Sequence, residues 1–297
     1  MLFENYGFKT TKDLESKATV RHYAVGAFNF NNLEQIKAIM KAASEMNSPV
    51  ILAASHGATN YAGTPFIVYM AAAAKQSYPK VELALHLDHG LNFEKCKECI
   101  DLGFSSVMID ASKNPLEENI KRCKEVVDYA HNFGVSVEGE LGRLYGVEDE
   151  INVSEAEAAM TDPEEASYFT EQSGIDSLAV SIGNSHGLYK TNNPFIDLDR
   201  LNRIKDKVSV PLVLHGASGI PEDSVRNACK IGIAKVNIDT ECRLAFRREV
   251  DKFVAANPFN DHKTNTYDPR KIVGSTIDAM AEVIKMKMEW FGSQNKL

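Results

Sequence analysis

The chain has 297 residues, room for one large domain, and its 44% apolar and 25% charged residues are ordinary for a soluble globular protein. A net charge of -8 excludes general affinity for nucleic acid or for an anionic membrane surface, while a few local cations would still admit an anionic small substrate. Met1-Leu2-Phe3-Glu4-Asn5 lacks the basic patch and apolar core of a secretory signal, and no apolar run approaches the ~20 residues that span a bilayer, so a cytoplasmic protein is expected.

Residues 11–20 read as a short helix ahead of a first strand at 23–29. Asn32 caps a helix whose apolar residues, Leu33, Ile36, Ile39 and Met40, repeat at helical spacing. A strand at 49–53 and a helix over about 66–76 follow. The next strand, Val81-Glu82-Leu83-Ala84-Leu85, runs into His86-Leu87-Asp88-His89-Gly90, and Asn92 then opens a helix. The alternation continues with a strand at 106–110, a helix at 115–133 and a strand at 135–140. The polar segment 141–161 is long for a loop in a compact domain, where such loops are usually lids or disordered, and its acidic content, Glu148-Asp149-Glu150, Glu155 and Glu157, suggests mobility.

Asp162-Pro163-Glu164-Glu165 starts a helix, with Pro where helices tolerate it best. Strands at 177–181, 211–214 and 234–237 alternate with helices at 198–204, 221–231 and from Thr240 onward, and one or two terminal helices occupy 268–291. Eight strands thus alternate with eight helices, and no Pro-, Gly- or Ser-rich linker divides them. The expected fold is α/β: a single (β/α)₈ TIM barrel over residues 1–297, with an extra N-terminal helix and a C-terminal helical extension from about 258. A doubly wound sheet is the runner-up, but no G-x-G-x-x-G follows the first strand.

Three of the eight histidines share one context: His89-Gly90, His186-Gly187 and His215-Gly216 each sit at or just past the C-terminal end of an expected strand. In a barrel those ends converge on one mouth, and three imidazoles with an open position form the ligand set of a catalytic zinc. One such histidine alone is more often a buried structural residue; three with one pattern point to a metal. His22 and His131 read as surface or packing residues, His262 as solvated, His56 as a neighbour of the mouth and His86 as packed behind the site. Asp110 and Glu140 end strands and divide evenly between orienting a histidine and binding metal; Asp88 is assigned proton transfer. Cys96-Lys97-Glu98-Cys99 matches C-x-x-C, but no second pair completes a zinc site, and two core-facing helix positions explain it better. Gly216-Ala217-Ser218-Gly219 and Asn237-Ile238-Asp239-Thr240, on the last two strands, resemble a phosphate site built from small residues and a helix N-terminus. Asp239 is awkward beside a phosphate and is assigned to substrate hydroxyls instead.

Taken together, these residues resemble the class II, metal-dependent fructose-bisphosphate aldolases, which include tagatose-bisphosphate aldolases. The resemblance runs through Ala27-Phe28-Asn29, Leu85–Gly90, Ser106–Ser112, Val137–Gly142, Gly183–Gly187, Leu214–Gly219, Asn237–Thr240 and Asp268-Pro269-Arg270, essentially the whole chain. It implies a homodimeric or homotetrameric barrel that splits a phosphorylated ketose reversibly into dihydroxyacetone phosphate and glyceraldehyde 3-phosphate. His89, His186 and His215 match the zinc ligands, Asp110 and Glu140 the positions of a second or displaced metal, and Asp88 the proton donor and acceptor. Gly187, Gly216, Ala217, Ser218, Asn237, Ile238, Asp239 and Thr240 match the dihydroxyacetone-phosphate site, with Gly187, Gly216 and Ser218 bordering a monovalent cation, Na⁺ or K⁺. Asn29 and Ser55 match substrate contacts, Glu148 the carboxylate of a mobile loop, and Arg270 an arginine reaching the second phosphate from a neighbouring subunit. Tyr145 departs from the Gly or Met usual at its position.

The resemblance also implies a sugar preference: tagatose-specific relatives tend to carry a small residue where this chain has Asp239, which favours fructose over tagatose bisphosphate, and a deoxyketogluconate-phosphate aldolase is a further relative with similar motifs. A non-catalytic barrel serving as a partner subunit and a zinc hydrolase are the rivals from other classes, and Lys235 is a minor candidate for a Schiff-base route.

Overall fold

Leu83, Leu85 and Leu87 pack outward into the main apolar core, while the residues between them, Ala84, His86 and Asp88, point into the barrel. This two-residue alternation, repeated around eight strands, divides an outer apolar layer under the helices from an inner, increasingly polar channel. The strands are β1 (Val25–Asn29), β2 (Val50–Ser55), β3 (Leu83–Gly90), β4 (Ser106–Ile109), β5 (Ser136–Leu141), β6 (Ser177–Val180), β7 (Leu212–Leu214) and β8 (Ile233–Ile238). All neighbours pair in parallel and β8 closes on β1, with Ala27 opposite Asn237, so the TIM barrel expected from the alternation is the observed fold. The computed structural model describes residues 2–148, 151–153, 159–187, 189, 191 and 194–297, and the backbone alone at 145, 147, 148 and 151–153.

Helix Thr11–Val20, capped by Thr10, plugs the N-terminal end of the barrel. Leu14 and Ala18 pack on Val25, Ile51, Ala84 and Ala234 inside it. The Thr11 hydroxyl lies 2.9 Å from both Ser106 Oγ and Ser136 Oγ. Glu15 is fully buried in this floor, where burial, and then the charge of Glu138, push its carboxyl up to about 8. A folded-state value above the unfolded 4.5 means that this contribution to stability is complete below pH 4.5 and is lost as pH rises through about 8. Glu15→Gln is therefore expected to be more stable than the native chain at pH 8–9, by roughly 3–5 kcal/mol at about 1.4 kcal/mol per unit, and equal to it near pH 5. Denaturant melts across that range check this; parallel pH profiles would contradict it.

Two expectations need correction. Helix Thr64–Ser77 is preceded by a separate helix, His56–Ala62, with Ser55 as its cap and Gly63, at φ +87°, as the joint. His56-Gly57-Ala58-Thr59-Asn60-Tyr61-Ala62 carries no apolar stripe, which is why periodicity does not reveal it. The described residues of the segment 141–161 also do not form an open loop. Tyr145–Glu148 and Ile151–Val153 form an antiparallel hairpin, and Tyr145–Glu148 pairs in parallel with Ser185–His186. Arg143 and Ala159 close its base by two backbone hydrogen bonds of 2.8 and 3.1 Å. Helices Thr264–Tyr267, Pro269–Val273 and Thr276–Phe291 end the chain, the last packing on Leu33–Glu45 and on Thr240–Ala256. No helix among the described residues is long and apolar enough to cross a membrane.

Candidate active site

In a regular strand Asp88 and His89 would face opposite sides. Here the pairing of β3 with β4 slips between Leu87 and Gly90, and His89 takes φ +50°. A bulge of this kind re-aims a side chain. Histidine is among the few residues that enter the left-handed region with any frequency. Both side chains therefore reach the C-terminal mouth. The next position must be glycine, since a Cβ on Gly90 would lie 2.4 Å from the Met108 carbonyl oxygen.

His89 meets the other two imidazoles expected from sequence. Its ring centroid is 4.9 Å from that of His215 and 5.0 Å from that of His186, with His186 and His215 6.2 Å apart. All three are buried, at 1–3% exposure. His89 Nδ1 lies 3.2 Å from Asp110 Oδ2, while Ser112 donates to Asp110 Oδ1 at 2.8 Å. Burial works to raise the Asp110 carboxyl, but the His89 hydrogen bond overrides it and holds the group below the usual range. Glu140 shows the opposite balance: burial, then the charge of Asp110, push its carboxyl well up. Potential ligand atoms of Asp88, His89 and His215 all lie within 4.8 Å of one another, as do those of His89, Asp110 and Glu140. His186 joins through its ring contact with His89 and belongs to neither of those two groups.

Asp88 is gripped by two amides: Asn29 Nδ2 donates to Oδ2 at 2.7 Å and Asn237 Nδ2 to Oδ1 at 3.1 Å. The amide oxygens of the same two side chains are buried and accept nothing among the described residues, so two acceptors remain for ligand hydroxyls. Asp239 is buried and doubly bonded to Arg243, Nε to Oδ1 and Nη2 to Oδ2, each at 2.8 Å, a partner the sequence reading did not supply. Ser218 Oγ accepts from the Glu241 N–H at 3.4 Å, which joins Gly216-Ala217-Ser218 to the start of helix Thr240–Ala256. Ile238 packs outward into the core, leaving only its backbone for a ligand.

Ser55 Oγ accepts from the Ala58 N–H at 3.0 Å as a helix cap. Arg270 is exposed on the surface helix Pro269–Val273, bonded to Asp268 at 2.8 Å. The side chains of Glu148 and Tyr145 lie outside the described residues.

Several groups escaped the sequence reading. Tyr189 clasps two site loops, its hydroxyl donating to the Gly216 carbonyl at 2.8 Å and accepting from the Ser185 N–H at 2.9 Å. Asn184 donates to the His215 carbonyl at 2.9 Å. Glu138 lies 2.7 Å from His215 Nε2 and 2.7 Å from Lys235 Nζ. A strand's two-residue period places Glu138 on the same inner face as Glu140, so a signal for it existed. Lys235 is fully enclosed and ion-paired, which removes it from contact with a substrate. Cys96 and Cys99 are buried, neither joins a metal-type cluster among the described residues, and burial pushes the Cys99 thiol up to about 12.

The donor set fits a metal. Glu140 is 2% exposed, and its Oε2 has no hydrogen-bond partner among the described residues. A buried carboxylate beside a second one is costly unless a proton or a cation neutralises it, and the unpartnered Oε2 leaves room for a cation. Imidazoles and carboxylates converging on the C-terminal mouth of a parallel barrel define a metal-dependent barrel enzyme. The sequence model described as fructose-bisphosphate aldolase class-II matches residues 9–296. A fructose-bisphosphate aldolase of Thermus caldophilus is 44% identical, over 96% of this chain and 98% of its own. One from Geobacillus stearothermophilus is also 44% identical, over 96% and 97%. The crystal structure of the YdjI aldolase from Escherichia coli K12 superposes with a TM-score of 0.83 at 34% identity, covering 97% of this chain and 99% of that one. The chain belongs to the class II fructose-bisphosphate aldolase family, whose members are metal-dependent aldehyde-lyases.

Proposed function

We propose that the protein cleaves fructose 1,6-bisphosphate reversibly into dihydroxyacetone phosphate and glyceraldehyde 3-phosphate in the cytoplasm, with Zn²⁺ as its metal. The observation that carries this reading is the convergence of His89, His186 and His215 beside an Asp88 held by two asparagines. The three histidines would hold the ion, with Asp110 and Glu140 as an adjoining site. Bound there, a divalent ion supplies Lewis acidity toward the substrate carbonyl.

Asp88 takes the proton of the C4 hydroxyl as the C3–C4 bond breaks and its electron pair moves toward the C2 carbonyl. Asn29 and Asn237 keep Asp88 aimed, and their free amide oxygens accept substrate hydroxyls. Glu148 delivers a proton to C3. Gly187, Gly216, Ala217, Ser218, the Ile238 backbone, Asp239 and Thr240 surround the dihydroxyacetone-phosphate half, with the N-terminus of helix Thr240–Ala256 facing its phosphate. Gly187, Gly216 and Ser218 would border a monovalent cation, Na⁺ or K⁺. Ser55 lines the substrate's path, and Arg270 serves the other phosphate from a neighbouring subunit, which makes the working form a homo-oligomer.

Incubation of the zinc-loaded protein with fructose 1,6-bisphosphate is expected to yield equal amounts of the two triose phosphates, and faster than tagatose 1,6-bisphosphate does. Release of inorganic phosphate instead would indicate a hydrolase, no product a non-catalytic barrel, and faster tagatose cleavage a different sugar preference; each result would overturn the proposal.

A further inference from the structure

Beneath the histidine cluster lies a closed ionic set that the reaction does not use directly. Glu138, Lys235 and His86 are fully buried and His215 is 1% exposed. Glu138 Oε1 is 2.7 Å from His215 Nε2, and Glu138 Oε2 accepts from Lys235 Nζ at 2.7 Å. His86 Nε2 is 3.4 Å from Lys235 Nζ and 3.7 Å from Glu138 Oε2. His86 Nδ1 bonds Ser106 Oγ at 2.8 Å, and Ser106 in turn meets Thr11 of the floor helix. A buried ion pair is poor value as a source of stability, because desolvation offsets its attraction. Its geometry toward His215 gives it a better-defined task.

An ionised carboxylate only accepts hydrogen bonds, so His215 meets Glu138 as the Nε2–H tautomer. Its Nδ1 lone pair then faces His89 Nε2 at 3.2 Å. Asp110 acts in the same way on the other ring, taking the Nδ1–H of His89 and leaving Nε2 as the unprotonated nitrogen. Without an acceptor at Glu138, His215 could carry its proton on Nδ1 and donate it to His89, closing the ligand position.

We propose that Glu138, with Lys235 as its counter-ion, is a positioning residue that locks His215 in the tautomer offering Nδ1 and thereby sets the affinity for the divalent ion. This rests on the reading that the cluster holds a metal. Carboxylates bonded to ligating histidines are typically worth about 10–100-fold in metal affinity.

Two charge-balanced double variants test it without leaving an unpaired buried charge. Glu138→Gln with Lys235→Met keeps an oxygen for His215 and turns the amide nitrogen toward His86 Nε2. Glu138→Leu with Lys235→Met removes the acceptor. Zinc dissociation constants measured by chelator competition should rise about 10–100-fold for the Leu pair and stay several-fold closer to native for the Gln pair, with similar melting temperatures. Equal affinity in both pairs would overturn the role of Glu138. A native chain that takes up no zinc would overturn the metal reading itself. If the Leu pair fails to fold, ¹⁵N imidazole spectra of the chelated native protein decide: Nε2–H on His215 supports the proposal, and Nδ1–H contradicts it.

Discussion

Asp88→Ala is expected to lower kcat for ketose-bisphosphate cleavage by about 10²–10⁴-fold, the range for losing a positioned general base, which corresponds to ~3–5 kcal/mol of barrel-mouth transition-state stabilisation. Zinc content should stay unchanged. That second readout matters because the Asp88 carboxylate lies among the atoms that could ligate an ion, within 4.8 Å of the His89 and His215 nitrogens. If Asp88 were a ligand, the variant would lose metal and activity together. Asp88→Asn keeps the shape and one oxygen, enough to accept from only one of the Asn29 and Asn237 amides, while removing the base, so it should be as slow as the Ala variant with one buried amide donor left unanswered instead of two. Leaving those two amide donors buried without an acceptor costs about 1–3 kcal/mol each. Near-native turnover in either variant would refute the assignment.

Stripping the metal should reduce cleavage to background, and adding Zn²⁺ should restore it. Breaking a carbon–carbon bond next to a carbonyl needs an electron sink, and among the described strand-borne residues the alternative is Lys235. The structure removes that alternative: Lys235 is 0% exposed and its ammonium is tied to Glu138 at 2.7 Å. A Schiff base requires a free amine facing the substrate. Borohydride added with substrate should accordingly trap no adduct, and persistence of activity after complete chelation would sink the metal requirement. Ala at His89, His186 or His215 should likewise abolish tight zinc binding while the barrel stays folded, because each imidazole stands at the mouth rather than in the apolar layer between strands and helices.

The barrel is legible in the sequence because its strands are buried on both faces and punctuated by capped helices; Asn32 and Asn92 each accept from the backbone three residues on, as their positions imply. His89, His186 and His215 are legible because each precedes a glycine at a strand end. What is not legible depends on backbone detail. The bulge at Asp88-His89 brings two neighbours to one face, and no alternation pattern encodes it. The hairpin at Tyr145–Glu148 and Ile151–Val153 pairs with Ser185–His186 from afar, so its polar sequence reads as loop. Tyr189 and Arg243 act through contacts across loops, which spacing along the chain does not report. Glu138 could have been read, since it shares a face with Glu140, but a glutamate in mid-strand gains meaning only when His215 and Lys235 are seen against it.

The central claim is that three imidazoles far apart in sequence share one divalent ion. Anomalous diffraction at the zinc edge from crystals of the zinc-loaded protein tests it most directly. The account predicts a strong peak about 2.0–2.1 Å from one nitrogen of each of His89, His186 and His215. A zinc peak elsewhere on the chain, or one touching fewer than all three of those rings, would contradict it.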